Sequence, residues 1–172
     1  MSKETEIIQG LLSVMNTYEY SLITITQISQ EAKIGRKTFY RYFKNKNEVL
    51  EKHIEHLYLD YSSYIENFYS KKMSVLIYNH FSFWENHIDF LMMMYKNNLM
   101  FYIYKQYQIH CSLLNNKIID FQNHDKITST YINAYTAGVF WSFLYTWVEN
   151  GARETPSQLA EICTNMIDYR IQ

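Results

Sequence analysis

The sequence has 172 residues, of which 48% are hydrophobic and 17% aromatic, a composition that excludes a chain disordered throughout its length. Only four glycines and one proline are present, so the turn signals that separate the strands of all-β folds are scarce and we expect an all-α protein. The formal net charge of −1 hides an asymmetry: residues 31–46 hold six basic residues and one acidic residue, which suggests contact with a polyanion.

The first predicted element is an amphipathic helix over about residues 5–18, where apolar side chains recur at helical spacing. This apolar stripe consists of Ile7, Ile8, Leu11, Leu12 and Met15. A second, short helix is predicted to begin at Thr24, because Thr24 and Gln27 have the spacing of a capping box. It runs to about Ala32 and ends near residues 33–35.

A third helix is predicted from about Arg36 to Phe43, with Phe39 and Phe43 on one face. Asn45 and Glu48 then repeat the capping-box spacing, which predicts the start of a helix about 20 residues long or more. The apolar positions of this long helix follow steps of three and four residues: Leu50, Ile54, Leu57, Tyr61, Ile65 and Phe68.

Helical periodicity continues towards the C-terminus. The predicted helices are residues 74–86, 88–96, 99–121 and 128–150, and residues 122–126 are predicted as a loop. Asn150-Gly151 predicts a helix end. Thr155, Pro156 and Gln158 predict the start of a last helix, with a capping box and a proline in its first turn. The side chains expected to be buried by this helix are Leu159, Ile162, Cys163, Met166 and Ile167.

Several classes of function find no support in the residues. Cys111 and Cys163 match no metal spacing and read as buried apolar residues in a reducing compartment. Residues 2–5 are polar, unlike a secretory signal, and Lys96 interrupts the most apolar stretch before it reaches the about 18–20 residues of a membrane span. No metal site, cofactor site or catalytic arrangement is evident. We therefore expect a cytoplasmic protein that is not an enzyme and has no membrane partner.

Two short helices separated by a tight turn, the second of them basic, are typical of a helix-turn-helix. Such a second helix fits a major groove about 12 Å wide, with apolar anchors, here Phe39 and Phe43, on its inner face and cations on its outer face. The stretch TITQISQEAKIGRKTFYRYFKNKNEVL (residues 24–50) resembles the DNA-binding domain of the TetR family of bacterial transcriptional regulators. The stretch AYTAGVFWSFLYTWVENGARETPSQLAEI (residues 134–162) resembles the two helices through which family members dimerise.

The resemblance implies an all-α fold with a helix-turn-helix DNA-binding domain over residues 1–50 and a helical dimerisation and ligand-binding domain over residues 51–172. It implies a homodimer that pairs through about residues 128–150 and 156–171 and binds a near-palindromic double-stranded operator. It further implies a repressor that is released by a small-molecule effector bound among the C-terminal helices.

By position within the motif, the resemblance assigns DNA contacts to ten residues. Phosphate contacts fall to Thr24, Thr26, Gln27 and Lys46. Contacts with base edges or adjacent phosphates fall to Arg36 and Lys37. Contacts with the DNA backbone or thymine methyl groups fall to Thr38 and Tyr40. Contacts with the groove or the backbone fall to Arg41 and Tyr42.

The turn of the motif departs from the family pattern. Lys33 stands where the family commonly has glycine, and Gly35 stands where it commonly has a capping serine or threonine. We therefore expect Lys33 to adopt a left-handed backbone conformation, which is uncommon for a residue other than glycine.

Aromatic residues of the C-terminal part are candidates for an effector pocket, although an aromatic stripe at helical spacing is equally typical of a core. These candidates are Tyr61, Phe83, Trp84, His87, Tyr104, Tyr107 and Trp141. Two other classes of function stay open. One is a co-regulator that acts through a protein partner with weak or lost DNA binding, and the other is a small helical enzyme or ligand carrier, which no motif favours.

Overall fold

The computed structural model describes residues 2–68, 70, 72–118 and 125–168, with side chains described everywhere in these ranges except 111–118 and 167–168. Within this part of the chain the regular structure is entirely helical, which confirms the predicted all-α fold. The helices are α1 (Lys3–Met15), α2 (Ile25–Glu31), α3 (Arg36–Tyr42), α4 (Lys46–Asn67), α5 (Met73–Glu85), α6 (Ile88–Lys96), α7 (Met100–Ile118), α8 (Lys126–Glu149) and α9 (Pro156–Asp168), and a 3-10 turn spans Tyr20–Leu22.

The chain forms two compact units, Met1–Leu57 and Tyr58–Gln172, which divide within α4. The first unit packs α1, α2, α3 and the first turns of α4 around one apolar core. Leu11 of α1, Ile28 of α2 and Phe39 of α3 meet there and are fully buried. Burial of each such side chain contributes roughly 1.5–3 kcal/mol. Packing of this kind is needed because isolated helices as short as α2 and α3 are not stable in water.

Reciprocal side-chain caps begin two helices where the sequence predicted them. At α2 the amide of Gln27 donates to Thr24 Oγ1 (3.3 Å), and the amide of Thr24 donates to Gln27 Oε1 (2.8 Å). At α9 the same two bonds join Thr155 and Gln158, at 3.3 and 2.9 Å. These caps satisfy first-turn donors that would otherwise lack a partner inside the helix.

Only half of the capping box predicted at α4 forms. The amide of Glu48 donates to Asn45 Oδ1 (3.0 Å), as expected, but the Glu48 carboxylate accepts from the amide of Lys44 (2.7 Å) and not from that of Asn45. The Lys44 ammonium lies 3.7 Å from the same carboxylate. Its positive charge favours the longer reach of the carboxylate, one residue further back along the chain.

Lys33 closes the end of α2 in a left-handed conformation, with φ of +53°, which confirms the expectation from the sequence. The amide of Ile34 donates to Ser29 O (2.9 Å) and the amide of Lys33 donates to Gln30 O (3.0 Å). These are the two bonds of a Schellman motif, which usually places glycine at the left-handed position. Gly35, two residues later, precedes α3 in an extended conformation and supplies no side-chain cap.

Gly10 allows α1 and α2 to approach closely. A Cβ atom at this position would lie 3.0 Å from Ile28 O, 3.0 Å from Ala32 Cβ and 3.1 Å from Ala32 N. Two of these three atoms belong to the backbone, so a side chain here would have to displace α2 itself. The sequence gave no signal for this contact, because Gly10 lies inside an otherwise regular helical pattern.

In the second unit α5 packs on α9, and α8 packs against α6 and α7. Aromatic rings fill the core. The Tyr58 ring lies edge-on to Trp84 at 5.7 Å and to Tyr107 at 5.3 Å between ring centres. Such edge-to-face pairs add to the free energy gained from burying their area.

Two predicted apolar stripes are only partly buried. On α9, Cys163 is buried, but Ile162 is 48% and Met166 51% exposed, because α9 meets α5 through the face that carries Ala160 and Cys163. On the long helix Phe68 is exposed, since α4 ends one residue before it. The prediction that these three apolar residues are buried within the chain is therefore wrong. The side chain of Ile167 lies outside the described residues.

The ends of α8 follow local signals. The helix stops at Asn150 as predicted: Gly151 has φ of +82°, and the amide of Ala152 donates to Trp147 O at 2.8 Å. It starts earlier than predicted, because Asp125 Oδ1 caps it by accepting from the amide of Thr128 (2.9 Å). Residues 119–124, which include most of the predicted loop, lie outside the described part. No helix in that part is long and apolar enough to cross a membrane.

Candidate nucleic-acid interface

The outer surface of α3 is formed by cations and tyrosines. Phe39 and Phe43 point inwards and are buried, which confirms their predicted role as anchors. Once those two positions face the core, helical geometry turns the residues between them outwards. The side chains exposed on this surface, called the α3 face below, are Arg36, Lys37, Tyr40, Arg41 and Tyr42, and Thr38 is half-buried beside them.

The positive charge of the α3 face is not neutralised by nearby carboxylates. Within the described residues, Arg36, Lys37 and Arg41 form no ion pair. Glu31, the one acidic residue among residues 31–46, instead accepts a hydrogen bond from Ser13 of α1 at 2.8 Å. The Arg41 guanidinium lies 5.3 Å from the centre of the Tyr42 ring, a cation–π arrangement that leaves its charge intact. An unpaired cluster of this kind attracts a polyanion.

The start of α2 presents smaller polar groups. Thr24 and Thr26 are exposed and Gln27 is half-buried. The Thr24 hydroxyl and the Gln27 carbonyl are bonded to each other at 2.8 Å, so the cap also fixes both side chains. Only Thr26 of the three carries a hydroxyl that the capping box does not use.

Lys46 is placed unlike the other nine predicted contacts. Its ammonium is half-buried and donates to three backbone carbonyls in and after the 3-10 turn that precedes α2. The sequence indicated a cation at the start of α4, but it gave no signal that the turn would supply partners for it. The predicted phosphate contact of Lys46 stays a prediction, and the geometry favours an internal role.

Comparison with known families agrees with this geometry. A model of bacterial regulatory proteins of the tetR family matches residues 7–52, and a model described as a transcriptional regulator C-terminal region matches residues 71–169, more than half of the chain. The chain belongs to the TetR family of bacterial transcriptional regulators. The resemblance drawn from residues 24–50 is thus confirmed, and membership places the chain among regulators and not among enzymes.

Two solved structures are similar to this TetR-family regulator. The dihydroxyacetone kinase operon activator DhaS is 20% identical, with a TM-score of 0.64 over 98% of this chain and 96% of that one. The fatty acid degradation regulator FadR from Bacillus halodurans is 17% identical, with a TM-score of 0.64 over 94% of this chain and 92% of that one. At such low identities the similarity shows the fold alone. No curated protein matches the chain in sequence.

The predicted effector residues fall into two groups in this TetR-family chain. One group lies in the core of the second unit, fully or almost fully buried: Tyr61, Phe83, Trp84 and Tyr107. There Tyr61 Oη lies 2.9 Å from His80 Nδ1 and Tyr107 Oη lies 3.2 Å from His80 Nε2. Burial lowers the pKa of His80 to about 3, so the imidazole is neutral and accepts from one tyrosine while donating to the other.

The other group is accessible. Tyr104 and Trp141 line an open groove of about 370 Å³ together with Gly138 and Tyr145. His87 is half-buried with its ring 4.7 Å from that of Phe83, and burial lowers its pKa. The buried indole nitrogen of Trp84 has no hydrogen-bond partner. Among the described residues no three metal-ligating side chains come together.

Proposed function

We propose that this TetR-family regulator is a homodimeric repressor that binds a near-palindromic operator through the α3 face and is released by a small-molecule effector. The observation that carries the proposal is the unpaired positive charge of Arg36, Lys37 and Arg41, held outwards by the buried anchors of α3. A bacterial protein that binds the chromosome works in the cytoplasm, which is the compartment we propose.

The proposed contacts follow the geometry of a helix in the major groove. Arg36 and Lys37, in the first turn of α3, are proposed to reach base edges or adjacent phosphates. Thr38 and Tyr40 are proposed to contact the backbone or thymine methyl groups, and Arg41 and Tyr42 the groove or backbone. Phosphate contacts at the start of α2 are proposed for Thr24, Thr26 and Gln27. The DNA-binding domain is proposed to cover residues 1–50 and the second domain residues 51–172.

Dimerisation is proposed through residues 128–150 and 156–171. Exposed apolar side chains on α8 and α9 support it: Tyr131 is 72% and Tyr135 63% exposed, and Ile162 and Met166 lie on the outer face of α9. Clustered exposed apolar side chains are unusual on a monomeric protein. Two-fold pairing of these helices would bury them and would present two α3 faces to one near-palindromic site.

The effector is proposed to bind among the C-terminal helices. The groove beside Tyr104 and Trp141 supports an entry site, and the unpartnered Trp84 indole supports a hydrogen bond to a ligand acceptor deeper in the unit. An effector acts only through a difference in its affinity for the DNA-binding and released states. Of the two similar structures, DhaS is named an operon activator and FadR a regulator of fatty acid degradation. Those roles belong to those proteins.

The test is binding of the purified protein to DNA from its own promoter region across a salt series, measured by fluorescence anisotropy. Six to ten phosphate contacts would weaken affinity by about 10³–10⁵-fold between about 50 and 200 mM salt. The double substitution Arg36→Ala/Tyr40→Phe should weaken binding by about 10-fold or more. Lys96→Ala, an exposed cation of α6 in the second unit, is the matched control and should bind like wild type. Weak binding that the double substitution does not change would favour the co-regulator alternative.

A further inference from the structure

The ammonium of Lys46 is surrounded by carbonyl groups of the protein itself. Nζ donates to Tyr20 O at 2.6 Å, to Ser21 O at 3.1 Å and to Ile23 O at 2.9 Å. An ammonium has three donors, so three carbonyls use its full capacity. These carbonyls lie in and just after a 3-10 turn, where backbone acceptors lack partners within the turn.

Two further contacts join the same two segments. The Tyr20 ring lies beneath the ammonium, 4.7 Å from Nζ to the ring centre, and the Tyr20 hydroxyl donates to Asn47 Oδ1 at 2.7 Å. Burial between the turn and α4 lowers the pKa of Lys46, as expected for an ammonium that has lost part of its water. The first two residues of α4 thus tie down the 3-10 turn at several atoms.

The tied segment leads directly into α2. Ile23, the last carbonyl on Lys46, is followed by Thr24, which caps α2 and is the first residue proposed to contact a phosphate. Fixing the carbonyl of Ile23 therefore fixes where α2 begins. The cation at the start of α4 is the partner that the turn needs, although the two are more than twenty residues apart in sequence.

We infer that Lys46 is a positioning residue, which holds the 3-10 turn Tyr20–Leu22 on α4 and so sets the start of α2 for DNA binding, and that it does not contact a phosphate. This inference rests on the proposed DNA-binding function. To reach a phosphate, the ammonium would have to leave all three carbonyls, which would then lose their charged donor. Loss of Lys46 instead lowers the fraction of molecules that are competent to bind, and the apparent affinity falls by that fraction.

The slope of log affinity against log salt concentration separates the two roles. A cation that neutralises one phosphate contributes about 0.9 to this slope on duplex DNA. We expect Lys46→Met to weaken operator binding by about tenfold or more, because charged hydrogen bonds are lost, while leaving the slope unchanged. The matched control is Lys37→Met on the α3 face, which should lower the slope by about 0.9. A Lys46→Met slope reduced like that of the control would overturn the inference, and so would unchanged affinity.

A readout without DNA separates failure of this inference from failure of the proposed function. In free protein, hydrogen exchange at the amides of Ile23–Gln27 should be faster in Lys46→Met than in wild type, while exchange in α8 stays the same. If wild type binds no DNA at any salt concentration, the proposed function fails and exchange alone decides whether Lys46 holds the turn. Unchanged exchange would overturn the inference.

A milder variant covers the case in which Lys46→Met does not fold. Tyr20→Phe keeps the ring under the ammonium and removes only the hydroxyl bonded to Asn47. It should weaken operator binding by a smaller factor than Lys46→Met, with the salt slope again unchanged. Tyr20→Phe binding that equals wild type, together with unchanged exchange at Ile23–Gln27, would overturn the inference.

Discussion

Lys33 carries the backbone conformation that this turn requires without being the residue best suited to it. Replacing it with glycine removes the steric cost of a left-handed residue, about 1 kcal/mol, and loses part of that gain to the greater freedom of the unfolded chain. We expect Lys33→Gly to stabilise the protein by about 0.5 kcal/mol, measured by urea unfolding. Asn98→Gly is the control: Asn98 has φ of +57°, but asparagine tolerates this region, so little gain is expected. A destabilised Lys33→Gly protein would contradict this account.

Gly10 is required by the distance between two helices. Gly10→Ala gains about 1 kcal/mol in helix propensity but forces a methyl group against backbone atoms of α2, an overpacking that costs about 1–3 kcal/mol. We expect net destabilisation of about 1 kcal/mol by thermal unfolding, together with weaker DNA binding because α2 shifts. Gly138→Ala, where a Cβ meets nothing within 4 Å, should instead stabilise α8. Equal effects of the two substitutions would mean that the close approach does not matter.

Single residues differ in how well the sequence predicts their role. The capping pairs Thr24–Gln27 and Thr155–Gln158 were predictable, because both partners lie within one helical turn. Lys33 was predictable from its place in a recognised motif. The role of Lys46 was not, because its partners lie in a turn that no local pattern places beside α4.

At the scale of elements, α4, α5 and α7 are joined in the core by the buried Tyr61–His80–Tyr107 cluster. Burial lowers the pKa of His80 to about 3 from 6.5, so the unfolded chain takes up this proton more readily than the folded one. Stability is therefore fully present above about pH 6.5 and is lost as the pH falls towards about 3. Between about pH 7.5 and 5 we expect a loss of about 2 kcal/mol in the free energy of unfolding.

The control for this pH dependence is His80→Gln, which cannot titrate. The variant will be less stable at every pH, because it perturbs two tyrosine hydroxyls, but its stability should depend less on pH by about one proton. The pKa of His87 is also lowered by burial, and since His87 is present in both proteins the difference isolates His80. Parallel pH profiles for wild type and variant would show that His80 does not couple to folding.

Helices were predicted more successfully than the faces they bury. Residues 88–96 form α6 as predicted, because apolar periodicity and flanking polar residues are local signals. The stripe on α9 was assigned wholly to the core, yet Ile162 and Met166 face outwards. Periodicity identifies an apolar face but does not tell whether this chain or a second copy covers it.

At the scale of the whole molecule, the outward face of α9 predicts the oligomeric state. Ile162→Glu/Met166→Glu places two carboxylates where the proposed dimer buries apolar side chains, and burial of an unpaired charge is strongly unfavourable. We expect wild type to sediment as a dimer at micromolar concentration and the variant to dissociate about 100-fold more readily or worse.

The control for this experiment is Leu22→Glu, an exposed apolar residue of the first unit. It should remain dimeric, because it lies outside both proposed dimer helices. A wild-type mass of one chain at micromolar concentration would contradict the proposed dimer, and equal dissociation in the two variants would place the interface elsewhere.

The most direct test of the account is a hydroxyl-radical footprint of the wild-type protein on DNA from its own promoter region, beside the Arg36→Ala/Tyr40→Phe variant. Two α3 faces on one dimer should protect two symmetric segments whose centres lie about one helical turn, ~10 base pairs, or a multiple of it apart. The variant should lose both segments together at the same protein concentration. A single protected segment, or protection that the variant retains, would contradict the claim that this regulator reads DNA through the α3 face as a dimer.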